Sequence, residues 1–204
     1  MHDVDSLIAE LRPYVADERV LEAVAAVPRE RFVSWSMRER AYENRALGIG
    51  CGQTISQPLV VARMSELLEL RPTDRVLDVG TGSGYHAAVL ALLADHVWSI
   101  ERHARLSARA ARNLEAAQIE NVTLVVGDGT HGLPEEAPFD AINVAAAGTA
   151  AALAELEAQL APGGRLVAPV TEPLQRLEVV RHTEAGFERA LFEEVRFVPL
   201  VSDR

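Results

Sequence analysis

The chain has 204 residues, a formal net charge of −10, 49% hydrophobic residues and a single cysteine. This length and composition exclude a disordered chain and indicate one globular domain with a substantial core. The negative charge disfavours nucleic-acid binding, which usually needs a basic face. Because Cys51 has no second cysteine to pair with, we expect a fold without internal disulfides and a cytoplasmic location.

The amino terminus lacks the basic start and apolar run of a signal peptide, and no apolar stretch approaches the length of a membrane span. We therefore expect neither secretion nor a membrane partner. One basic feature remains, a row formed by Arg102, Arg105, Arg109 and Arg112. Their spacing places them on one helical face, which is either a solvated surface or a phosphate-binding groove. The net charge favours the solvated surface, so we expect no nucleic-acid partner.

The first part of the chain predicts helices. Residues 3 to about 45 carry apolar side chains at helical spacing, with a break at Pro28. A loop rich in glycine follows, from Asn44 to Gly52. A further helical pattern then begins, with Ser56 well placed as its N-cap and Pro58 in its first turn.

From Arg75 onward, predicted strands and helices alternate. The predicted strands are 75–79, 96–100, 122–126, 139–144 and 165–170. The predicted helices between them are 84–94, 104–117 and 150–160. This alternation predicts an α/β fold with a doubly wound parallel sheet. Two β-rich runs without a long helix between them, 174–181 and 190–198, predict an antiparallel pair at one edge and bring the sheet to seven strands.

A glycine turn follows the first predicted strand of the sheet, reading Gly80-Thr81-Gly82-Ser83-Gly84. In a dinucleotide-binding turn the third glycine comes three residues after the second, but Tyr85 occupies that position. The spacing G-x-G-x-G is instead typical of methyltransferases that bind S-adenosylmethionine. We therefore predict this cofactor in a Rossmann-like methyltransferase fold, with Asp78 and the five residues of the turn in the cofactor site.

The next two strands also end in polar groups. Glu101 ends the second strand, seventeen residues beyond Gly84, where a carboxylate can accept hydrogen bonds from both ribose hydroxyls. Asp128 and Gly129 follow the third strand, where the carboxylate can hold the adenine amino group and the glycine lets the ring approach. The sequence shows no metal-binding spacing of Cys and His, no nucleophile elbow and no Walker lysine, so we expect no metal.

Several blocks of the sequence resemble the protein-L-isoaspartate O-methyltransferase family. They are Arg31–Val33 with Ala41–Asn44, Gly50–Pro58, Leu77–Tyr85, Gly127–Gly129 with Pro138–Ile142, Gln159–Val167 and Arg196–Leu200. The Gln53–Pro58 block is the specific part, because the glycine turn is common to many methyltransferases. The likeness spans most of the chain. It indicates an N-terminal helical segment with the active-site loop, residues 1–57, and a methyltransferase core, residues 58–204, within one domain.

The resemblance implies an enzyme that transfers a methyl group from S-adenosylmethionine to the free carboxylate of L-isoaspartyl residues in damaged proteins and peptides. The products are S-adenosylhomocysteine and an ester that starts repair through a succinimide. The resemblance also assigns the active-site role to Ser56 and lines the peptide site with Val198, Pro199 and Leu200; Thr54 and Ile55 shape the wall beside Ser56. We expect a monomer.

Two loops depart from the family pattern. Residues 145–149 lack the usual prolines, and Thr171 stands where glycine is usual. These departures leave open a second hypothesis, methylation of an aspartate in one dedicated peptide or protein. A third hypothesis, a noncatalytic protein that binds S-adenosylmethionine, is disfavoured by the complete Gln53–Pro58 block.

Overall fold

Residues 3–171 and 173–202 are described by a computed structural model. The α-helices are α1 (Val4–Leu11), α2 (Glu18–Ala26), α3 (Pro58–Leu67), α4 (Tyr85–Ala91), α5 (Ala104–Ala116) and α6 (Ala150–Glu157). The β-strands are β1 (Leu47–Gly50), β2 (Gln53–Ile55), β3 (Arg75–Val79), β4 (His96–Glu101), β5 (Val122–Val126), β6 (Phe139–Val144), β7 (Leu160–Thr171), β8 (Gln175–Thr183) and β9 (Gly186–Glu194). Short 3-10 turns lie at Arg29–Arg31, Trp35–Arg40 and Gly129–His131.

Seven strands form one sheet in the order β5-β4-β3-β6-β7-β8-β9. The first five of these are parallel to one another, whereas β8 is antiparallel to both β7 and β9. The predicted parallel sheet with an antiparallel pair at one edge is therefore confirmed. None of the helices within the described ranges is long and apolar enough to cross a membrane.

The strand order reverses at β3, which positions the site. The chain runs from β3 outward through β4 to β5, and then returns to place β6 on the other side of β3. In open parallel sheets, ligands bind beyond the carboxyl ends of the strands at such a reversal. The glycine turn follows β3 directly, so it lies at this point.

The N-terminal helices share a hydrophobic core with the sheet. Leu11 of α1, Leu21 of α2 and Met64 of α3 are buried in the same cluster as Val76 of β3 and Val89 of α4. Burial of such side chains contributes about 1.5–3 kcal/mol each relative to exposure. The helical segment is thereby held against the core, while the boundary between residues 57 and 58 stays a prediction.

Three predictions about the type or the bounds of elements were wrong. The last predicted strand, 190–198, lies four residues earlier in the chain, at Gly186–Glu194. The glycine-rich stretch is not an open loop, because β1 and β2 pair antiparallel there, with Leu47 opposite Ile55. The last predicted helix ends at Glu157 rather than at residue 160, since Leu160 already pairs with Phe139 in the sheet.

The segment after β9 crosses the carboxyl ends of the strands and is held there by hydrogen bonds. Ala147 donates its N–H to Val198 O at 2.8 Å, and Leu200 donates to Ala147 O at 2.7 Å. The Gln175 side chain accepts from the Phe197 N–H at 2.6 Å and donates to the Phe197 carbonyl at 3.3 Å. Residues 197–200 are therefore fixed over the sheet.

Candidate active site

A cavity of about 820 Å³ lies beyond the carboxyl ends of β3 and β4. Three parts of the chain form most of its wall: residues 53–57, the turns after β3 and β4, and the segment 194–201. Most of the predicted site residues meet here although they are far apart in sequence. Those in the wall are Thr54, Ile55, Ser56, Gly80, Thr81, Gly82, Ser83, Glu101, Gly129, Val198, Pro199 and Leu200.

The glycine turn needs residues without side chains at two places that face the cavity. Gly80 and Gly82 have φ angles of +99° and +54°, which side chains disfavour. A Cβ atom on Gly82 would also lie only 3.3 Å from the Ile49 side chain. The turn therefore presents bare backbone to the cavity. Gly84 is the N-cap of α4 and is not part of the wall.

Glu101 holds the turns after β3 and β4 together. Its carboxylate, which is almost fully buried, accepts from the Gly82 N–H through Oε2 and from the His103 N–H through Oε1, both at 2.9 Å. Each carboxylate oxygen can accept more than one hydrogen bond. Glu101 can thus support the turns and still offer both oxygens to hydroxyl groups of a ligand.

Asp78 lies beneath the glycine turn rather than in the cavity wall. Its buried carboxylate accepts from Ser99 Oγ at 2.6 Å and from Asn143 Nδ2 at 2.7 Å. Ser99 is itself 2.6 Å from Thr81 Oγ1, which lines the cavity. Burial raises the pKa of Asp78, which the hydrogen bonds from Ser99 and Asn143 oppose. The structure gives Asp78 a supporting position, and its contact with the cofactor stays a prediction.

The same buried network includes His86, which lines the cavity but had no predicted role. Asn143 Nδ2 lies 3.1 Å from Nδ1 of His86, and Ser65 Oγ lies 3.2 Å from Nε2. Burial lowers the pKa of His86 to about 3, so the ring is neutral at physiological pH. Since the Asn143 amide donates to Nδ1, the proton resides on Nε2. No local sequence signal relates these residues, which meet only through the packing of α3, α4 and β6.

The turn after β5 brings Gly129, but not Asp128, to the cavity. The Asp128 carboxylate caps the 3-10 turn by accepting from Thr130 N–H at 2.9 Å and Thr130 Oγ1 at 2.6 Å. Ser202 Oγ donates to its other oxygen at 3.2 Å. The predicted contact of Asp128 with adenine therefore competes with protein partners and stays a prediction.

Substitutions at two glycines of this turn, compared with each other, test how tightly the turn is packed. A Cβ atom on Gly129 would lie 2.6 Å from Val79 Cγ1, whereas on Gly127 it would lie 3.4 Å from Ile100 Cδ1. We expect Gly129→Ala to lower the free energy of unfolding by about 1–3 kcal/mol through overpacking. We expect Gly127→Ala to change it by less than about 1 kcal/mol, since that contact is ordinary. Urea denaturation measures both, and equal losses would contradict the packing described.

Ser56 lies in the connection between β2 and α3, at the cavity. It is not the N-cap that the sequence predicted, because α3 begins at Pro58 and its N-cap is Gln57. The helix start offers few free amides, because Pro58 has no N–H and Leu59 donates to Asn44 Oδ1 at 3.1 Å. The Ser56 hydroxyl makes no hydrogen bond within the described part of the chain. It is therefore available to a ligand.

The sequence model of the family described as Protein-L-isoaspartate(D-aspartate) O-methyltransferase (PCMT) matches residues 2–204. Among curated relatives, the protein-L-isoaspartate O-methyltransferase of Yersinia pestis strain Pestoides F is 51% identical over 199 residues, covering 97% of this chain and 95% of the relative. The enzyme of the same name from Yersinia pseudotuberculosis serotype O:1b shows the same identity and coverage.

Solved structures give the same result. A structure described as protein-L-isoaspartate O-methyltransferase superimposes with a TM-score of 0.88 at 29% identity, covering 98% of this chain and 67% of that one. A Plasmodium falciparum protein described as a beta-aspartate methyltransferase, solved with S-adenosyl-L-homocysteine, has a TM-score of 0.83 at 25% identity and covers 98% and 99% of the two chains. The match over almost the whole sequence and the shared seven-stranded fold lead to one conclusion: this chain belongs to the protein-L-isoaspartate(D-aspartate) O-methyltransferase family.

Proposed function

We propose that this chain methylates the free α-carboxylate of L-isoaspartyl residues in damaged proteins, and that Ser56 orients that carboxylate. One observation carries the assignment of roles. The Ser56 hydroxyl, which has no partner in the described chain, shares a single cavity with the glycine turn and Glu101. An acceptor held by Ser56 and a nucleoside cofactor held by the turn would therefore occupy the same cavity.

The residues of the cavity fit S-adenosylmethionine. Gly80 and Gly82 provide a wall without side chains, and Glu101 retains acceptor capacity on both oxygens. We assign the cofactor to Gly80, Thr81, Gly82, Ser83, Glu101 and Gly129 in the wall, and to Asp78, Gly84 and Asp128 behind or beside it. When bound, S-adenosylmethionine supplies a methyl group on a positively charged sulfur.

The acceptor carboxylate needs no general base. A free α-carboxyl group ordinarily has a pKa of about 3.3–3.7, so it is already ionised and nucleophilic at neutral pH. The task of the protein is alignment, an effect that can contribute roughly 7–11 kcal/mol to lowering a barrier. Ser56 Oγ–H donates to one carboxylate oxygen and leaves the other free to react. Thr54 and Ile55 on one side, and Val198, Pro199 and Leu200 on the other, form the peptide-binding walls.

We further propose that the enzyme acts as a cytoplasmic monomer on isoaspartyl-containing proteins and peptides, without nucleic-acid or membrane partners. The net charge of −10 and the single cysteine support this proposal.

A paired-peptide assay tests the function. The purified chain is given labelled S-adenosylmethionine with an isoaspartyl peptide, or with the same peptide containing normal aspartate. We expect labelling of the isoaspartyl peptide and at least about 100-fold less of the aspartyl twin, since only in the former does the test residue itself carry a free α-carboxylate. Equal labelling would favour methylation of a dedicated aspartate, and no labelling of either peptide would contradict the repair reaction.

A further inference from the structure

Arg29, a buried arginine beside the cavity, has no assigned role. It belongs to the 3-10 turn after α2 and is 0% exposed. Burying a guanidinium is costly unless its charge and its donors are compensated. No carboxylate of the described residues forms an ion pair with it, and burial lowers its pKa. Because burying this charge costs free energy, we looked for a function of Arg29 at the neighbouring cavity.

The guanidinium of Arg29 donates hydrogen bonds to main-chain carbonyl groups in other parts of the chain. Nε donates to the Ala41 carbonyl and Nη2 donates to the Ser56 carbonyl, both at 2.8 Å. Ala41 follows the 3-10 turn Trp35–Arg40, and Ser56 connects β2 to α3. One planar side chain thus fastens Ser56, which lines the cavity.

The guanidinium also contacts the other side of the site. Its Cζ atom lies 4.7 Å from the centroid of the Tyr85 ring, in a cation–π arrangement. Tyr85 is the first residue of α4, directly after the glycine turn, and it lines the cavity. Arg29 Nη1 and the Tyr85 hydroxyl are both buried without a hydrogen-bond partner. Arg29 therefore spans the gap between the Ser56 connection and the helix that follows the cofactor turn.

We propose that Arg29 is a positioning residue for methyl transfer, which sets Ser56 at a fixed distance from the glycine turn. This rests on the proposed function, because the position of Ser56 matters only if an acceptor binds there. A misplacement of about 1 Å at a reacting centre can cost roughly 100-fold in rate. The fork of a guanidinium can hold two carbonyls in one geometry, whereas a lysine ammonium is a flexible point charge. A positive charge at residue 29 is therefore not enough to hold Ser56 in place.

Arg29→Lys tests the proposal, with Arg31→Lys as the matched control. Arg31 lies on the same 3-10 turn, and its side chain is exposed. We expect Arg29→Lys to lower kcat for the isoaspartyl peptide by about tenfold or more. The Kd and the stoichiometry of S-adenosylhomocysteine binding should stay within about twofold of the wild type in both variants, as should the kcat of the control.

Two results would overturn the proposal. One is an unchanged kcat in Arg29→Lys; the other is a loss of bound S-adenosylhomocysteine in step with kcat, which would mean a loss of folded protein. If the wild type itself fails to label the isoaspartyl peptide, the proposed function fails instead. The role of Arg29 is then decided by amide hydrogen exchange, which should become faster in residues 53–57 of Arg29→Lys but not of Arg31→Lys.

If Arg29→Lys does not fold, an NMR measurement on the wild-type protein tests the proposal. The Arg29 Nε–H resonance should exchange slowly with solvent and shift when the isoaspartyl peptide is added. Fast exchange with no shift would contradict a role for this side chain in holding Ser56.

Discussion

Ser56→Ala should lower kcat/KM for the isoaspartyl peptide by about 100-fold, because one preorganised donor to the reacting group is lost. The side chain can be removed without disturbing the fold, since its hydroxyl bonds no described residue and does not cap α3. Binding of S-adenosylhomocysteine should remain within about twofold, as the glycine turn and Glu101 are untouched. Initial rates at varied peptide concentration and calorimetric titration of the product measure the two effects.

Ser36→Ala is the control for this experiment. Ser36 is an exposed serine whose hydroxyl lies 3.1 Å from Ser34 Oγ, and we expect full activity from it. An active Ser56→Ala variant would remove Ser56 from the mechanism and leave the carboxylate to be oriented by the backbone of residues 56 and 57 alone.

Glu101→Gln should weaken S-adenosylhomocysteine binding by about 100-fold, because the hydrogen bonds of a charged acceptor are each worth about 1.5–3 kcal/mol. The amide would place an NH₂ group where the structure requires an acceptor, against either the Gly82 or the His103 N–H. The free energy of unfolding without ligand should also fall by about 1–3 kcal/mol, since one buried N–H loses its partner.

Calorimetry with the product and thermal melting of the unliganded protein separate these two losses. Glu115→Gln is the control, since Glu115 is exposed on α5, the helix that follows Glu101. If Glu101→Gln binds the product like the wild type, the cofactor does not use this carboxylate, and the support of the turns would be its sole role.

The fold could be predicted because the sheet leaves a local signature. Each central strand is a short apolar run followed by a turn or helix pattern, and β3, β5 and β6 coincide with the predicted ranges. The β1–β2 hairpin was missed since its glycines obscure the alternation of a strand. The end of α6 was misplaced because pairing of Leu160 with Phe139 is a long-range contact that no local pattern reveals.

The site was predictable only where a motif carries it. The glycine turn, Glu101 and the Ser56 block each have a local sequence pattern and could be found, and the structure brings them to one cavity. Arg29 could not, because its hydrogen bonds reach residues 12 and 27 positions away in the chain. The network from Asp78 through Asn143 to His86 likewise depends on the meeting of separate elements. Side chains of this kind look like ordinary core or surface residues until the fold is known.

The hydrogen bonds that join Gln175 to Phe197, and Ala147 to Val198 and Leu200, hold one wall of the cavity from outside it. Neither Gln175 nor Ala147 lines the cavity, whereas Phe197, Val198 and Leu200 do. A substitution in the loop that contains Ala147, or at the start of β8, can therefore displace this wall without touching a bound molecule. Evolutionary divergence at these two places would reshape the wall while leaving the glycine turn and Glu101 as they are.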